Sequence, residues 1–435
     1  MSAVLSGPTV SREPGDVVAG EPTPAEFRPV KLAMIDVESC PESIAAGGYG
    51  AVWALVREHG RPRGMIRVPF VDGVATRDQL NRAIETLPAA PRVPESEWPL
   101  DQALPSISVV IPSLLERADG LDACLRSLAE LDYPDYEVIV VDNRPAGAAP
   151  VQLPGVRVVR ETRPGISAAR NRGLAEAKGD LIAFTDDDVV VDPGWLRAIA
   201  TRLVAHPEEA CVTGLTLPSE LETPAQVALE EYYGGFGVRT FEAVSHRMRA
   251  AGWRSLMTPA TVDAMGDDGR VLRSFSLYAA GSFGAGANMA FRAGALRELG
   301  GFDCALGAGT ATHGGEDLAI FARLAWRGHA VAFEPASIVH HTHRREEASL
   351  ERQIKGYGVG YGALLMALVL EDPRHLGRIA GTARRAVRMM TAGYRDKLAV
   401  DRQPNPRAGE LARMELRGMA AGPFVYLATR LRRPR

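Results

Sequence analysis

Short apolar runs alternate with helical patterns from residue 107 onward, and this rhythm constrains the fold more than any other feature of the chain. The apolar runs lie at 107–111, 137–141, 156–159 and 181–184, with helical patterns near 121–131 and from Ser167. Such alternation predicts βαβ units that share a parallel sheet. Uninterrupted apolar strands such as 138–141 are typical of a sheet covered by helices on both faces. We therefore expect ligands to bind beyond the carboxyl ends of these strands.

The 435 residues exceed the usual size of one hydrophobic core, so we expect more than one folded unit. Composition and periodicity divide the chain into four parts. These are a disordered tail at 1–27, a small β-rich module at 28–95, an α/β domain at 96–345, and a helical basic extension at 346–435.

Charge is distributed unevenly along the chain. Residues 374–435 contain 15 Lys or Arg and 4 Asp or Glu, whereas the whole chain has a net charge of −3. An acidic main body argues against a groove for nucleic acid. Four widely separated cysteines indicate neither a zinc site nor a disulfide framework. These features predict a cytoplasmic protein that binds no nucleic acid.

Three adjacent carboxylates, Asp186-Asp187-Asp188, follow the apolar strand at 181–184. Neighbouring negative charges repel one another unless a cation offsets them, and a hard divalent ion would also bind diphosphate oxygens. Alternation along an extended backbone would place Asp186 and Asp188 on one side, with Asp187 mainly structural. The alternative is a solvated acidic turn.

Other polar residues occupy positions suited to a nucleotide. Asp142 directly follows a strand, where a carboxylate can accept hydrogen bonds from a ribose or base. Gly165 precedes a predicted helix start, with Ser167 as N-cap and Arg170 one turn later, which suits an anion. The small-residue segment at 281–288, which ends at Asn288, suits a pocket wall. A turn carboxylate, a capped helix and a tight structural loop are the respective alternatives.

Two further segments carry groups suited to catalysis and metal binding. The residues at 313–318 open a helical pattern with two glycines followed by Glu316 and Asp317. A carboxylate there can act as a general base, and we assign that role to Asp317 with Glu316 in support. The cluster at 340–343 contains three histidines, of which His341 and His343 would share one face of a strand. Imidazole beside carboxylates is a suitable ligand set for Mn²⁺.

The joint order of these motifs resembles the family-2 nucleotide-sugar glycosyltransferases with the GT-A fold. The motifs are SVVIPS, VIVVDN, RPGISAARNRGL, FTDDDV, GANMAFR, GGEDL and HHTHR, and together they cover about residues 107–345. The resemblance implies a Rossmann-like nucleotide-binding mixed sheet flanked by helices. It further implies nucleotide contacts from Pro112 and Asp142, a metal site at Asp186 and Asp188 completed by His341, and Asp317 as catalytic base.

The implied activity is an inverting, metal-dependent transfer of a sugar from a nucleotide-diphosphate sugar to an acceptor hydroxyl. Mn²⁺ or Mg²⁺ would assist, and the acceptor would be a carbohydrate, a lipid-linked molecule or a small molecule. A sugar nucleotidyltransferase and a non-catalytic nucleotide-sugar-binding protein are the alternatives. Two departures from the family pattern are Leu114-Leu115-Glu116 after the first strand and an insertion at 216–278.

The C-terminal residues pair apolar side chains with an arginine cluster. Phe424, Leu427 and Leu431 precede the basic end of the sequence, which predicts peripheral attachment to an anionic membrane at its inner face. A solvated basic surface is the alternative. The longest apolar run, 363–370, is far shorter than the roughly 20 residues of a membrane span, so we expect no span.

Overall fold

The computed structural model describes residues 27–89, 101–233, 235, 239–249, 259–382 and 408–432. The predicted disordered tail, apart from residue 27, lies outside the described residues, as do most of the linker after the β-rich module and Trp253 of the predicted insertion. Within the described residues, a large mixed sheet is flanked by helices, with a β-rich module before it and long helices after it. The fold class predicted from the sequence is thereby confirmed.

The N-terminal module is a three-stranded sheet with one packed helix. Its elements are β1 (Val30–Asp36), β2 (Ser43–Ala45), β3 (Ala51–Glu58), β4 (Arg61–Pro69), β5 (Val74–Thr76) and α1 (Arg77–Ile84). The sheet order is β1-β3-β4, and His59 and Gly60 form the β3–β4 turn at positive φ. Thr76 caps α1 by a reciprocal capping box with Gln79, which fixes where the helix begins.

The main domain is built on an eleven-stranded sheet. Its strands are β6 (Ile107–Ser113), β7 (Tyr136–Asp142), β8 (Arg157–Arg160), β9 (Leu181–Phe184), β10 (Val189–Val191), β11 (Glu209–Pro218), β12 (Val244–Met248), β13 (Thr261–Gly266), β14 (Val271–Ser276), β15 (Met289–Arg292) and β16 (Ala330–His341). Its helices are α2 (Ala118–Ala129), α3 (Ile166–Glu176), α4 (Trp195–Ala205), α5 (Pro224–Tyr233), α6 (Ala293–Glu298) and α7 (Glu316–Trp326).

Four neighbouring strands of this sheet are parallel, as the alternating pattern predicts. Strand β6 pairs in parallel with β7 and β9, and β7 pairs in parallel with β8. Their carboxyl ends therefore meet at one edge. The other half is mixed, because β15 runs antiparallel between β9 and β11. Much of the predicted insertion folds as β12, β13 and β14, which extend the sheet on the side away from β6.

Two long helices close the described chain, α8 (Glu347–Glu371) and α9 (Ala408–Arg432). They pack closely because glycines face the opposing backbone: a Cβ added to Gly358 would lie 2.1 Å from the carbonyl oxygen of Glu415. Among the described residues, α8 alone has the length and apolar composition of a membrane span. Of its most apolar 18-residue window, 56% is buried inside the protein.

The close contact between α8 and α9 yields a stability prediction. We expect Gly358→Ala to lower the free energy of unfolding by about 1–3 kcal/mol, because the new methyl group overlaps the α9 backbone. Gly409→Ala is the control, since a Cβ there meets nothing within 4 Å. Both changes gain helix propensity, so the difference between their urea unfolding curves isolates the contact. Equal stability of the two variants would contradict this packing.

Candidate active site

The carboxyl ends of β6 and β9 are tied together by a buried hydrogen bond. Ser113 at the end of β6 donates its hydroxyl to Asp187, at 2.6 Å between Oγ and Oδ2. Asp187 is buried and sits in a turn after β9, not in an extended strand as the alternation argument assumed. The carboxylate of Asp187 therefore anchors the turn, and the neighbouring Asp186 and Asp188 remain for other contacts.

Asp186, Asp188 and His341 come together into a group that can hold a metal ion. Strand β10 pairs antiparallel with β16 in a register that sets Val189 opposite His341, so Asp188 adjoins the imidazole. One ligand atom from each of the three residues lies within 4.8 Å of the others. Burial lowers the pKa of His341 to about 4, which keeps the ring neutral at pH 7. Two carboxylates and a neutral imidazole fit a hard or borderline divalent cation.

Arg117 is a site residue that the sequence analysis did not identify. Its guanidinium contacts the Asp188 carboxylate and lies 3.2 Å from Asp187 Oδ1. It is the N-cap residue of α2 and is about half exposed, so it lies at the rim of the site. The signal in the sequence was the position of Arg117, four residues after Ser113 and directly after the Leu114-Leu115-Glu116 segment that departs from the family pattern.

Arg170 connects three parts of the site from within the protein. It is only 1% exposed, and its guanidinium lies 2.9 Å from Glu316 Oε1 and 3.3 Å from Asp186 Oδ1. It also donates to the carbonyl oxygen of Gly286 at 3.2 Å, while its guanidinium stacks over the Phe302 ring. The guanidinium therefore offsets two carboxylates that would otherwise repel each other.

Glu316 and Asp317 begin α7 and have different surroundings. Burial and the charge of Asp317 raise the pKa of Glu316, whereas Arg170 lowers it. Asp317 is partly exposed, and its Oδ2 accepts a hydrogen bond of 2.9 Å from the Gly286 amide. A Cβ at Gly286 would lie 2.9 Å from that same oxygen, so only glycine fits here without displacement. Of the two carboxylates, Asp317 is thus the one that a ligand can reach.

The loop that carries these carboxylates is held against α8. Gly315, the N-cap of α7, adopts the left-handed conformation at φ 91°, which favours glycine. A Cβ there would lie 2.5 Å from the carbonyl oxygen of Gly360, and a Cβ at Gly360 would lie 2.7 Å from the carbonyl carbon of Gly314. The two glycines of the motif therefore let the loop sit directly on the helix backbone.

The residues predicted to bind the nucleotide lie at the same edge, but their polar groups already have protein partners. Although burial raises it, hydrogen bonds from Arg144 and Arg160 lower the pKa of Asp142 to about 2. The Gly165 amide donates to Asn143 Oδ1 at 3.0 Å. Pro112 lies beside Val141 in the β6–β7 register. The Asp142 carboxylate is thus ionised, and its negative charge is offset by Arg144 and Arg160, which supply the positive charge here.

Two sequence predictions about hydrogen-bonding residues need correction. Asn288 has no exposed surface, and its side-chain amide is fully used by Trp195, Ser337 and the carbonyl oxygen of Leu215. The Asn288 side chain connects the start of β15 to β11 and β16. Gly286 is the member of its segment that contacts Arg170 and Asp317. Helix α3 begins at Ile166 with Gly165 as N-cap, so Ser167 does not cap it.

The buried carboxylate of Glu230 lies near the metal-binding group and has two partners. His343 Nε2 lies 2.6 Å from Glu230 Oε1, and Arg239 pairs with the other oxygen of Glu230. Arg239 also stacks over Trp53 of the N-terminal module, at 5.0 Å from the ring centroid. Helix α5, from the predicted insertion, is thereby fixed beside the end of β16 that carries His341.

Residues 108–300, somewhat less than half of the chain, match the family described as Glycosyl transferase family 2. A pre-mycofactocin glycosyltransferase of Mycobacterium tuberculosis is 27% identical over 81% of this chain and 72% of its own length. An uncharacterized protein of Sinorhizobium fredii is 33% identical over 26% of this chain, which is 14% of that protein. A mannosyltransferase of Pyrobaculum calidifontis in complex with GDP-Man and Mn²⁺ is 17% identical, covering 74% of this chain and 88% of that one at a TM-score of 0.43. The family match supports a family-2 glycosyltransferase.

Removal of the buried positive charge of Arg170 should destabilise the protein strongly. We expect Arg170→Met to lower the free energy of unfolding by about 3–5 kcal/mol, because Asp186 and Glu316 lose their shared partner. Arg126→Met is the control, because that arginine makes an exposed pair with Asp122 worth about 0–1 kcal/mol. In urea unfolding, adding Glu316→Gln to the Arg170→Met variant should recover part of the lost free energy of unfolding. If the effects of the two substitutions simply added, the coupling between Arg170 and Glu316 would be contradicted.

Proposed function

We propose that this protein is an inverting glycosyltransferase of the GT-A type that moves a sugar from a nucleotide-diphosphate donor to an acceptor hydroxyl. The proposal rests on one observation: the structure connects a metal-binding group to Asp317, a carboxylate that a ligand can reach. Asp186 belongs to the first and, through Arg170, is linked to the loop of the second. The match of residues 108–300 to family 2 supports the same activity.

Asp317 is suited to act as the base. Its Oδ2 is oriented by the Gly286 amide and its Oδ1 by the Leu318 amide at 2.8 Å, so the carboxylate has a fixed direction at a partly exposed position. Glu316 is buried and bound to Arg170, which suits it to hold that guanidinium in place. The carboxylate of Asp317 accepts the proton of the acceptor hydroxyl as its oxygen attacks the anomeric carbon.

The other steps of the transfer depend on the negative charge that develops on the leaving diphosphate. The attack forms a new glycosidic bond while the bond from the anomeric carbon to the diphosphate oxygen breaks, which inverts configuration in one displacement. The leaving diphosphate takes the bonding electrons, and Arg117 at the rim of the site is placed to bind it. A divalent ion held by Asp186, Asp188 and His341 would act as a Lewis acid toward this negative charge.

Sugar nucleotidyl transfer, the competing activity, requires no base for an acceptor hydroxyl. The oriented, partly exposed Asp317 therefore favours sugar transfer over nucleotidyl transfer. The products separate the two activities: transfer releases a nucleoside diphosphate, whereas nucleotidyl transfer releases pyrophosphate. A panel of UDP-, GDP- and dTDP-sugars offered with Mn²⁺ would identify the donor.

Loss of the base should abolish transfer without loss of donor binding. We expect Asp317→Asn to reduce kcat by about 10²–10⁴-fold, the usual contribution of a general base. The affinity for the donor nucleotide, measured by calorimetry, should stay the same. Asp122→Asn, an exposed carboxylate on α2, is the control and should keep full activity. Full transfer by Asp317→Asn, or a product of retained anomeric configuration by NMR, would contradict the proposal.

Metal binding can be measured without turnover. We expect Asp188→Asn and His341→Ala each to weaken Mn²⁺ binding by about tenfold or more in the presence of donor nucleotide, as judged by electron paramagnetic resonance of free Mn²⁺. His340→Ala, one residue earlier on β16, is the matched control. Unchanged Mn²⁺ affinity in both site variants would remove the metal from the mechanism.

A further inference from the structure

The outward side of α9 is apolar, which is unusual for the exposed side of a helix. Between Gly409 and Arg432, large apolar side chains recur there at helical spacing. They are Leu416 (49% exposed), Phe424 (74%), Leu427 (37%) and Leu431 (87%), with the small Ala420, Ala421 and Ala428 between them. Surface helices normally direct polar side chains away from the core. Contiguous exposed apolar surface of this kind marks an interaction site.

The inward side of α9 is already packed against the rest of the protein. The outward apolar residues are therefore not the side of the helix that forms the hydrophobic core. Gly418 and Gly422 lie against the backbone of α8, where an added Cβ would be 2.7 Å and 2.4 Å from carbonyl oxygens. Tyr426 is buried and donates its hydroxyl to Asp303 at 2.6 Å. The inner side of the last turns is therefore already packed, and within the described part of the chain nothing buries the outer side.

The exposed charges along this apolar stripe are mainly positive, with Glu410 in the first turn as an acidic exception. Arg413, Arg417 and Arg432 are exposed on the same side of α9. The sequence from 374 to 435 has 15 basic and 4 acidic residues, although the chain as a whole is acidic. Two copies that met through this face would bring like charges together, because a two-fold contact places the same patch on both sides. An anionic surface, by contrast, would complement both the charge and the apolar stripe.

We propose that the outward face of α9 binds an anionic lipid membrane. Phe424, Leu427 and Leu431 enter the boundary between headgroups and acyl chains, and the flanking arginines contact the phosphates. Helix α8 lies between this face and the loop of Asp317, because its Gly360 contacts Gly314 while its Gly358 contacts α9. The candidate active site is thus held at a fixed distance from the lipid surface. Membrane binding does not require the proposed transfer activity and is tested separately from it.

Vesicle flotation of the full-length protein tests this surface. We expect binding at low salt to phosphatidylcholine vesicles that contain phosphatidylglycerol, and much weaker binding to phosphatidylcholine alone. Raising the salt to 1 M, where the Debye length is about 3 Å, should release the protein. The double variant Phe424→Ser/Leu431→Ser should lower the partition coefficient by about tenfold or more, because two apolar insertions are lost.

The matched control is Val204→Ser/Val271→Ser, which removes two exposed apolar side chains from α4 and β14. It should bind vesicles as the unchanged protein does. Circular dichroism would establish that both double variants are folded, as expected for substitutions at exposed positions. The proposal would be overturned if the protein did not bind anionic vesicles at low salt, or if the control variant lost as much vesicle binding as Phe424→Ser/Leu431→Ser. It would also be overturned if light scattering showed a dimer that Phe424→Ser/Leu431→Ser dissociates while the protein binds no vesicles.

Discussion

The buried guanidinium of Arg170 is the interaction on which the rest of the candidate site depends. It lies between Asp186, after β9, and Glu316, at the start of α7, and it also holds the Gly286 carbonyl. A buried charge is costly unless its partners are well placed, so the three segments must arrive in one arrangement for both terminal nitrogens of the guanidinium to be paired. That arrangement brings the acidic turn and the loop of Asp317 together on either side of Arg170.

The metal-binding group depends on a different constraint, which is strand pairing. The short β10 runs back along β16 and sets Val189 opposite His341, so two residues about 150 positions apart in sequence become neighbours. Behind them, the buried pair of His343 and Glu230 fixes α5 to the same strand end. Arg239 then extends the contact to Trp53, so the N-terminal module belongs to the structural support of the site.

Several glycines of the C-terminal half allow two backbones to approach closely. Gly315 and Gly360 bring the loop of Asp317 onto one side of α8, and Gly358 and Gly422 bring α9 onto another. The two contacts make α8 a rigid spacer between the candidate active site and the apolar outer face of α9.

Local sequence patterns predicted the parallel part of the sheet and pointed to Asp186 and Asp188 after a strand and to Asp317 at a helix start, whereas His341 was singled out by the family resemblance. The sequence also indicated Arg170, though as an anion-binding residue at a helix start. Only the tertiary structure decided that Arg170 is buried between carboxylates, that Asn288 is consumed by Trp195 and Ser337, and that Arg117 reaches Asp188. Hydrogen-bond partners and burial are set by segments distant in sequence, so no local pattern encodes them.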